Sequence, residues 1–129
     1  MSIKIDVSVG EIMDKLTILE IKAEKITDEA KLANIRKERN SLLPVIDQPA
    51  YQTDEVRHLV AALKQINLKL WDIEDDIRQK EATKTFDDGF IELARSVYFT
   101  NDKRAEIKKQ INLMTGSELV EEKSYEEYS

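Results

Sequence analysis

Val56, Leu59, Leu63, Ile66, Leu70, Ile73 and Ile77 step by three and four without interruption. A heptad stripe of this kind, unbroken over three repeats, predicts a long helix whose seam packs on another helix, as in a coiled coil. Thr53 stands before it as an N-cap, and the pattern runs to about Thr83, a rod of roughly 45 Å. A second stripe follows: Leu93, Val97, Thr100, Arg104, Ile107, Ile111 and Met114. It predicts a helix capped by Asp87 or Asp88 and ending near Thr115, where Gly116 supplies the stop. Phe86-Asp-Asp-Gly89 is the turn between them. The two helices are expected to form an antiparallel hairpin. The second stripe has an anomaly: Thr100 and Arg104 are polar where the rhythm asks for apolar groups.

The N-terminal half is less regular. Ile3, Ile5 and Val7 alternate with polar residues, which reads as a short extended arm packed on helices. Ser8-Val-Gly-Glu11 matches a capping box, so a first helix should run from about Val9 to Ile26. Its apolar positions, Val9, Ile12, Leu16, Leu19, Ala23 and Ile26, form one seam. Ile18 and Ile21 lie on nearly the opposite side, together with Asp14. A helix apolar on two sides is usually buried on two sides, by other elements or by a second copy of the chain. Thr27 or Asp28 can cap a second helix ending near Pro44. The segment PVIDQPAYQ, residues 44–52, holds both prolines and is the main break. The expected fold is all-α: a four-helix antiparallel bundle dominated by the hairpin of helices 3 and 4, with the short N-terminal arm. Residues 1–116 form one helical domain and residues 117–129 an acidic tail that frays at its end.

Composition narrows the function classes. The chain has 129 residues with three Gly and two Pro, a scarcity that favours long helices over turn-rich sheets. It has no Cys, which excludes disulfides, thiolate metal sites and cysteine nucleophiles. No apolar run reaches membrane-spanning length, and residues 1–11 lack a secretory pattern, so a cytoplasmic location without membrane insertion is expected. The net charge is −6, most of it in the tail. Neither part offers the basic stripe that a phosphate backbone requires, so nucleic acid is not an expected partner.

Candidate chemistry clusters at one level of the hairpin. With the turn near residues 84 and 85, facing residues have numbers summing to about 169. Arg104 then meets Gln65 and Ile66, Asn101 lies beside Asn67, Tyr98 beside Trp71, and Glu74 faces Arg95. Two readings compete. Polar groups within a seam can fix register and partner choice. Alternatively Asn67, Trp71, Glu74, Arg78, Tyr98, Asn101 and Arg104 line a pocket in which Arg104 holds an anionic group bidentately. A second cluster is Asp14, Lys15, Glu20 and Lys22 on helix 1, with Glu20 close enough to the seam to line a site. Metal chemistry finds little footing. Glu11 and Asp14 make an E-x-x-D pair, as in all-α nucleotide pyrophosphatases of the MazG type, but the partner E-x-x-E helix is absent. His58 is the single histidine, too few for a di-iron bundle. No metal or cofactor is expected.

The stretches SVGEIMDKLTILEIK, LWDIEDDIRQKE, FIELARSVYFTNDKRAEIKKQIN and GSELVEEKSY resemble a small bacterial family of uncharacterised proteins, classed as a domain of unknown function, over nearly the whole chain. The resemblance implies no assigned reaction. It implies a context of cell-surface polysaccharide synthesis, and it covers Asp14, Lys15, Thr17, Glu20, Lys22, Trp71, Glu74, Asp75, Arg78, Arg95, Tyr98, Asn101, Asp102, Arg104 and Lys123. Two functions therefore stand side by side. One is a helical assembly module, a homodimer that also meets a protein partner in surface-glycan synthesis. The other is a small enzyme or anionic-ligand-binding protein with its pocket near Trp71, Tyr98 and Arg104.

Overall fold

A computed structural model describes residues 1–128. Ser129, the last residue of the expected tail, lies outside the described residues. Four helices follow in order: α1 (Val9–Lys25), α2 (Glu29–Leu42), α3 (Asp54–Ala82) and α4 (Asp88–Thr115). Two short 3-10 turns, Leu43–Ile46 and Pro49–Tyr51, carry the prolines between α2 and α3. The described residues form no strand.

The helix ends follow local chemistry. Ser8 accepts from the Glu11 amide, Asp28 from Lys31, Thr53 from Val56 and Asp87 from Phe90. Each side chain satisfies one of the amides that a helix start leaves unpaired. Gly116 stops α4 in the left-handed region at φ 67°.

The long hairpin forms as expected, with α3 and α4 packed along their length. α1 packs against all three other helices. Its Val9 and Met13 join Val56 and Leu63 of α3 and Ile111 of α4 in one core cluster. Its Leu19 joins Leu32 and Ile35 of α2 in another. Both sides of α1 are thus covered within the chain, and Ile21 is 1% exposed. The two-sided pattern needs no second copy to explain it.

The arm departs from expectation. Residues 1–7 are irregular, and Ile3 and Ile5 stand exposed rather than packed on helices. A single extended segment has no neighbouring strand to satisfy its backbone, and α1 has no side left to offer it. The tail also differs from a freely fraying one. Ser117 Oγ accepts from the Val9 amide at 3.2 Å, and Glu121 meets Lys108 at 3.4 Å. The Tyr128 ring packs on Phe99 and Tyr98, with centroids 4.9 and 5.4 Å apart. The segment runs back along α4.

Candidate functional site

The polar positions of α4 answer to a carboxylate on α1. Asp14 is 1% exposed, inside the bundle. A buried carboxylate is tolerated only when paired and fully hydrogen-bonded. Arg104 supplies the pairing through a fork: its Nε donates to Asp14 Oδ1 at 3.0 Å, and its Nη2 donates to Oδ2. Asn67 of α3 donates through one amide nitrogen to Asp14 Oδ1 at 2.8 Å and to Thr17 Oγ1 at 2.9 Å. The Thr17 hydroxyl in turn donates to the Asp14 carbonyl at 2.7 Å. One residue thus ties three helices together.

A second cation sits one turn along α4. Lys108 Nζ meets Glu11 at 2.6 Å, Glu121 at 3.4 Å and Asp14 Oδ2 at 3.8 Å. Below it Gly10 lets α1 and α4 touch: its amide donates to Asn112 Oδ1 at 2.6 Å. The hydrogen bond to Asp14 raises the pKa of Arg104 against the opposing effect of burial. Burial works to lower the pKa of Lys108, but the hydrogen bond to Glu11 and the charges of Asp14, Glu11 and Glu121 leave it raised. Both side chains are held as cations.

The side-chain partners along the hairpin differ from those expected. Gln65 is exposed, and Arg104 reaches Asp14 instead. Glu74 pairs with Arg78 on its own helix, and Arg95 with Glu92 and the Phe99 ring. The reason is electrostatic. A neutral amide offers Arg104 one hydrogen bond, whereas the Asp14 carboxylate accepts two charge-assisted ones.

Above the ion pair the bundle opens. A cleft of about 490 Å³ between α1, α3 and α4 is lined by Lys22, Asn67, Trp71, Glu74, Asp75, Arg78, Asn101 and Arg104, with Ile18, Ile21, Leu70 and Val97 as its apolar floor. Six of the eight expected site residues meet here: Asn67, Trp71, Glu74, Arg78, Asn101 and Arg104. Tyr98 lines a second, adjoining cleft of about 560 Å³, between α4 and the C-terminal segment, with Asp102, Lys123, Tyr125, Glu126 and Tyr128. Val97, Asn101 and Arg104 line both. Glu20 does not join. It pairs with Lys64 at 3.3 Å and lines a separate, mainly apolar cleft beside Tyr51 and Val56.

Arg104 is the hinge of this arrangement. Its guanidinium carries five N–H donors. Two are engaged by Asp14, and the side chain is 28% exposed. Arg104 lines both clefts, and its guanidinium is held in place by a buried carboxylate. Asp14 was expected in a separate cluster on helix 1, and Lys108 was not expected at the site. The signal for Asp14 lay in the pattern, since a lone carboxylate on the second apolar side of helix 1 needs a buried cation. The Glu11–Asp14 pair that suggested a metal is engaged by Lys108 and Arg104.

The geometry defines a small all-helical protein with an open cleft, apolar in its floor and polar at its rim, over a buried carboxylate that ties three helices together. The chain belongs to the family described as "Family of unknown function (DUF6165)", whose model matches residues 3–128. No curated protein and no solved structure matches it.

Proposed function

We propose that the protein binds a small polar ligand carrying one acidic group in the cleft over Arg104. The observation that carries this reading is the placement of Arg104: two of its N–H donors are fixed on buried Asp14, and the side chain lines the cleft together with Trp71 and Asn101. Fixing a donor in advance lowers the entropy lost on binding. Trp71 offers a ring face, and Asn67, Asn101, Glu74 and Asp75 offer donors and acceptors for hydroxyl groups. Lys22, Arg78 and Arg104 are nearly balanced by Glu74 and Asp75, which suits one acidic group rather than a polyphosphate. Sugar phosphates and sugar acids have this character, and the context implied by the sequence resemblance points the same way.

Trp71 is the single tryptophan, so its emission reports on this cleft alone. Titration with inorganic phosphate, glucose 1-phosphate and glucuronate should give a saturable change with at least one of them. At a hundredfold excess over Kd the same ligand should stabilise the fold by about 2.7 kcal/mol. A flat response across the panel, in emission and in melting, overturns the reading.

A second reading is self-assembly as a homodimer in the cytoplasm, with a further protein partner in surface-glycan synthesis. It is favoured by the exposure of Phe86, Ile91, Leu113 and Met114, all on α4 or its entry turn. Among the described residues, no helix is long and apolar enough to cross a membrane.

A further inference from the structure

The two clefts that meet at Arg104 have different walls. The first has Trp71 as its aromatic face. The second has Tyr98 from α4 and Tyr125 and Tyr128 from the C-terminal segment, together with Lys123. That segment is not loosely placed. The Tyr128 hydroxyl donates to the Asp102 carboxylate, and its ring closes a three-ring cluster with Tyr98 and Phe99. Lys123 meets Glu121 at 3.4 Å and lies 5.3 Å from the Tyr125 ring. Tyr125 itself is 75% exposed and lines the second cleft. Between the two aromatic walls stands one cation with unengaged donors.

Charge limits what can bridge them. Lys22, Arg78, Arg104 and Lys123 across both clefts are matched by Glu74, Asp75, Asp102 and Glu126. Three of the four cations already hold a carboxylate: Arg78 holds Glu74, Arg104 holds Asp14, and Lys123 holds Glu121. With no net positive charge across the two clefts, a bridge with one charge, met by the free donors of Arg104, is favoured over a bridge with two.

Resting on the ligand-site reading, we propose that Lys123–Tyr128 is a wall of the site, and that the full site takes a phosphodiester bearing a ring on each side of its phosphate. One ring lies against Trp71, the phosphate on Arg104 and Asn101, and the second ring against Tyr98, Tyr125 and Tyr128. The C-terminal segment therefore sets selectivity for the second ring and leaves the first lobe unchanged.

Calorimetric titration compares two singly charged probes: the dinucleoside monophosphate UpU, with two rings, and the methyl ester of uridine monophosphate, with one. UpU should bind the wild-type protein about tenfold tighter, the gain from one added stacking ring. In a Tyr125→Ala, Tyr128→Ala double variant, and in a chain ending at Glu122, the ratio should fall below twofold while the methyl ester binds as before. Equal affinities in the wild type, or a ratio unchanged in both variants, overturns the proposal. So does tighter binding after truncation, which would make the segment a plug. If neither uridine probe binds but inorganic phosphate or glucose 1-phosphate does, the two-ring inference falls and the ligand-site reading stands. If nothing binds, both fall.

Discussion

Replacing Arg104 with leucine removes both charge-assisted hydrogen bonds of the Arg104–Asp14 fork and leaves a carboxylate that is 1% exposed without its counter-charge. Asn67 still donates at 2.8 Å, and Lys108 stands 3.8 Å away, so the charge is not wholly abandoned. Breaking a buried pair from one side costs about 3–5 kcal/mol. The 28% exposure of Arg104 and the remaining donors place the expected loss near the lower end, about 3 kcal/mol. For a domain of this size that lowers Tm by about 10 °C. Removing both charges at once, Asp14→Leu with Arg104→Leu, should recover most of this, because an apolar pair in place of a buried ion pair is often neutral or stabilising. Urea melts of the wild type, both single variants and the double variant complete the cycle, with a coupling energy of at least about 1.5 kcal/mol expected. A loss under about 1 kcal/mol for Arg104→Leu with no coupling to Asp14 would refute the idea that this pair organises the three helices.

Three further outcomes follow from other parts of the molecule. Gly10→Ala places a Cβ 2.6 Å from the Lys108 carbonyl, so α1 and α4 must part; urea melts should show a loss of about 1–3 kcal/mol, and an unchanged midpoint would contradict the close approach. The Asp102 hydrogen bond pushes the Tyr128 pKa up to about 12. Because the folded value exceeds the ordinary 10.0, the docking of the tail's end is fully present below pH 10 and lost as pH rises through about 12. Ultraviolet titration should therefore show one late tyrosine, brought back to the ordinary range by Asp102→Asn. Sedimentation equilibrium at micromolar concentration should give about twice 14.9 kDa if the exposed apolar residues of α4 mediate self-association, and a monomer mass removes that second reading.

The fold was open to reading because it is written in local signals. Caps at Ser8, Asp28, Thr53 and Asp87 and the stop at Gly116 mark helix ends through chemistry confined to a few residues. The heptad stripe of α3 marks its packing face in the same way. The site was only half open. Asn67, Trp71, Glu74, Arg78, Asn101 and Arg104 converge because helix periodicity places them on neighbouring flanks of one hairpin. The identity of the Arg104 partner was not local. A two-helix picture paired it with Gln65, while the three-helix bundle brings Asp14 from ninety residues away. Glu20 lies near the α1 seam as periodicity says, but faces Lys64 on the side away from the cleft. The docked tail had no periodic signal. Its contacts come from isolated groups, Ser117, Glu121 and Tyr128, which a sequence shows only as polar and aromatic residues.

The Arg104 side chain itself gives the most direct measurement. Nitrogen NMR resolves the Nε and Nη groups of a guanidinium whose rotation is restrained by a carboxylate. Arg104 should show slow Nη exchange in the ligand-free protein, reflecting the Asp14 fork. Its Nη signals should then shift in a saturable way on addition of phosphate or glucose 1-phosphate, while its Nε signal, turned toward Asp14, moves little. Freely rotating Nη groups without ligand, or Nη signals that stay in place at millimolar concentrations of both compounds, would contradict a cleft built around a pre-positioned arginine.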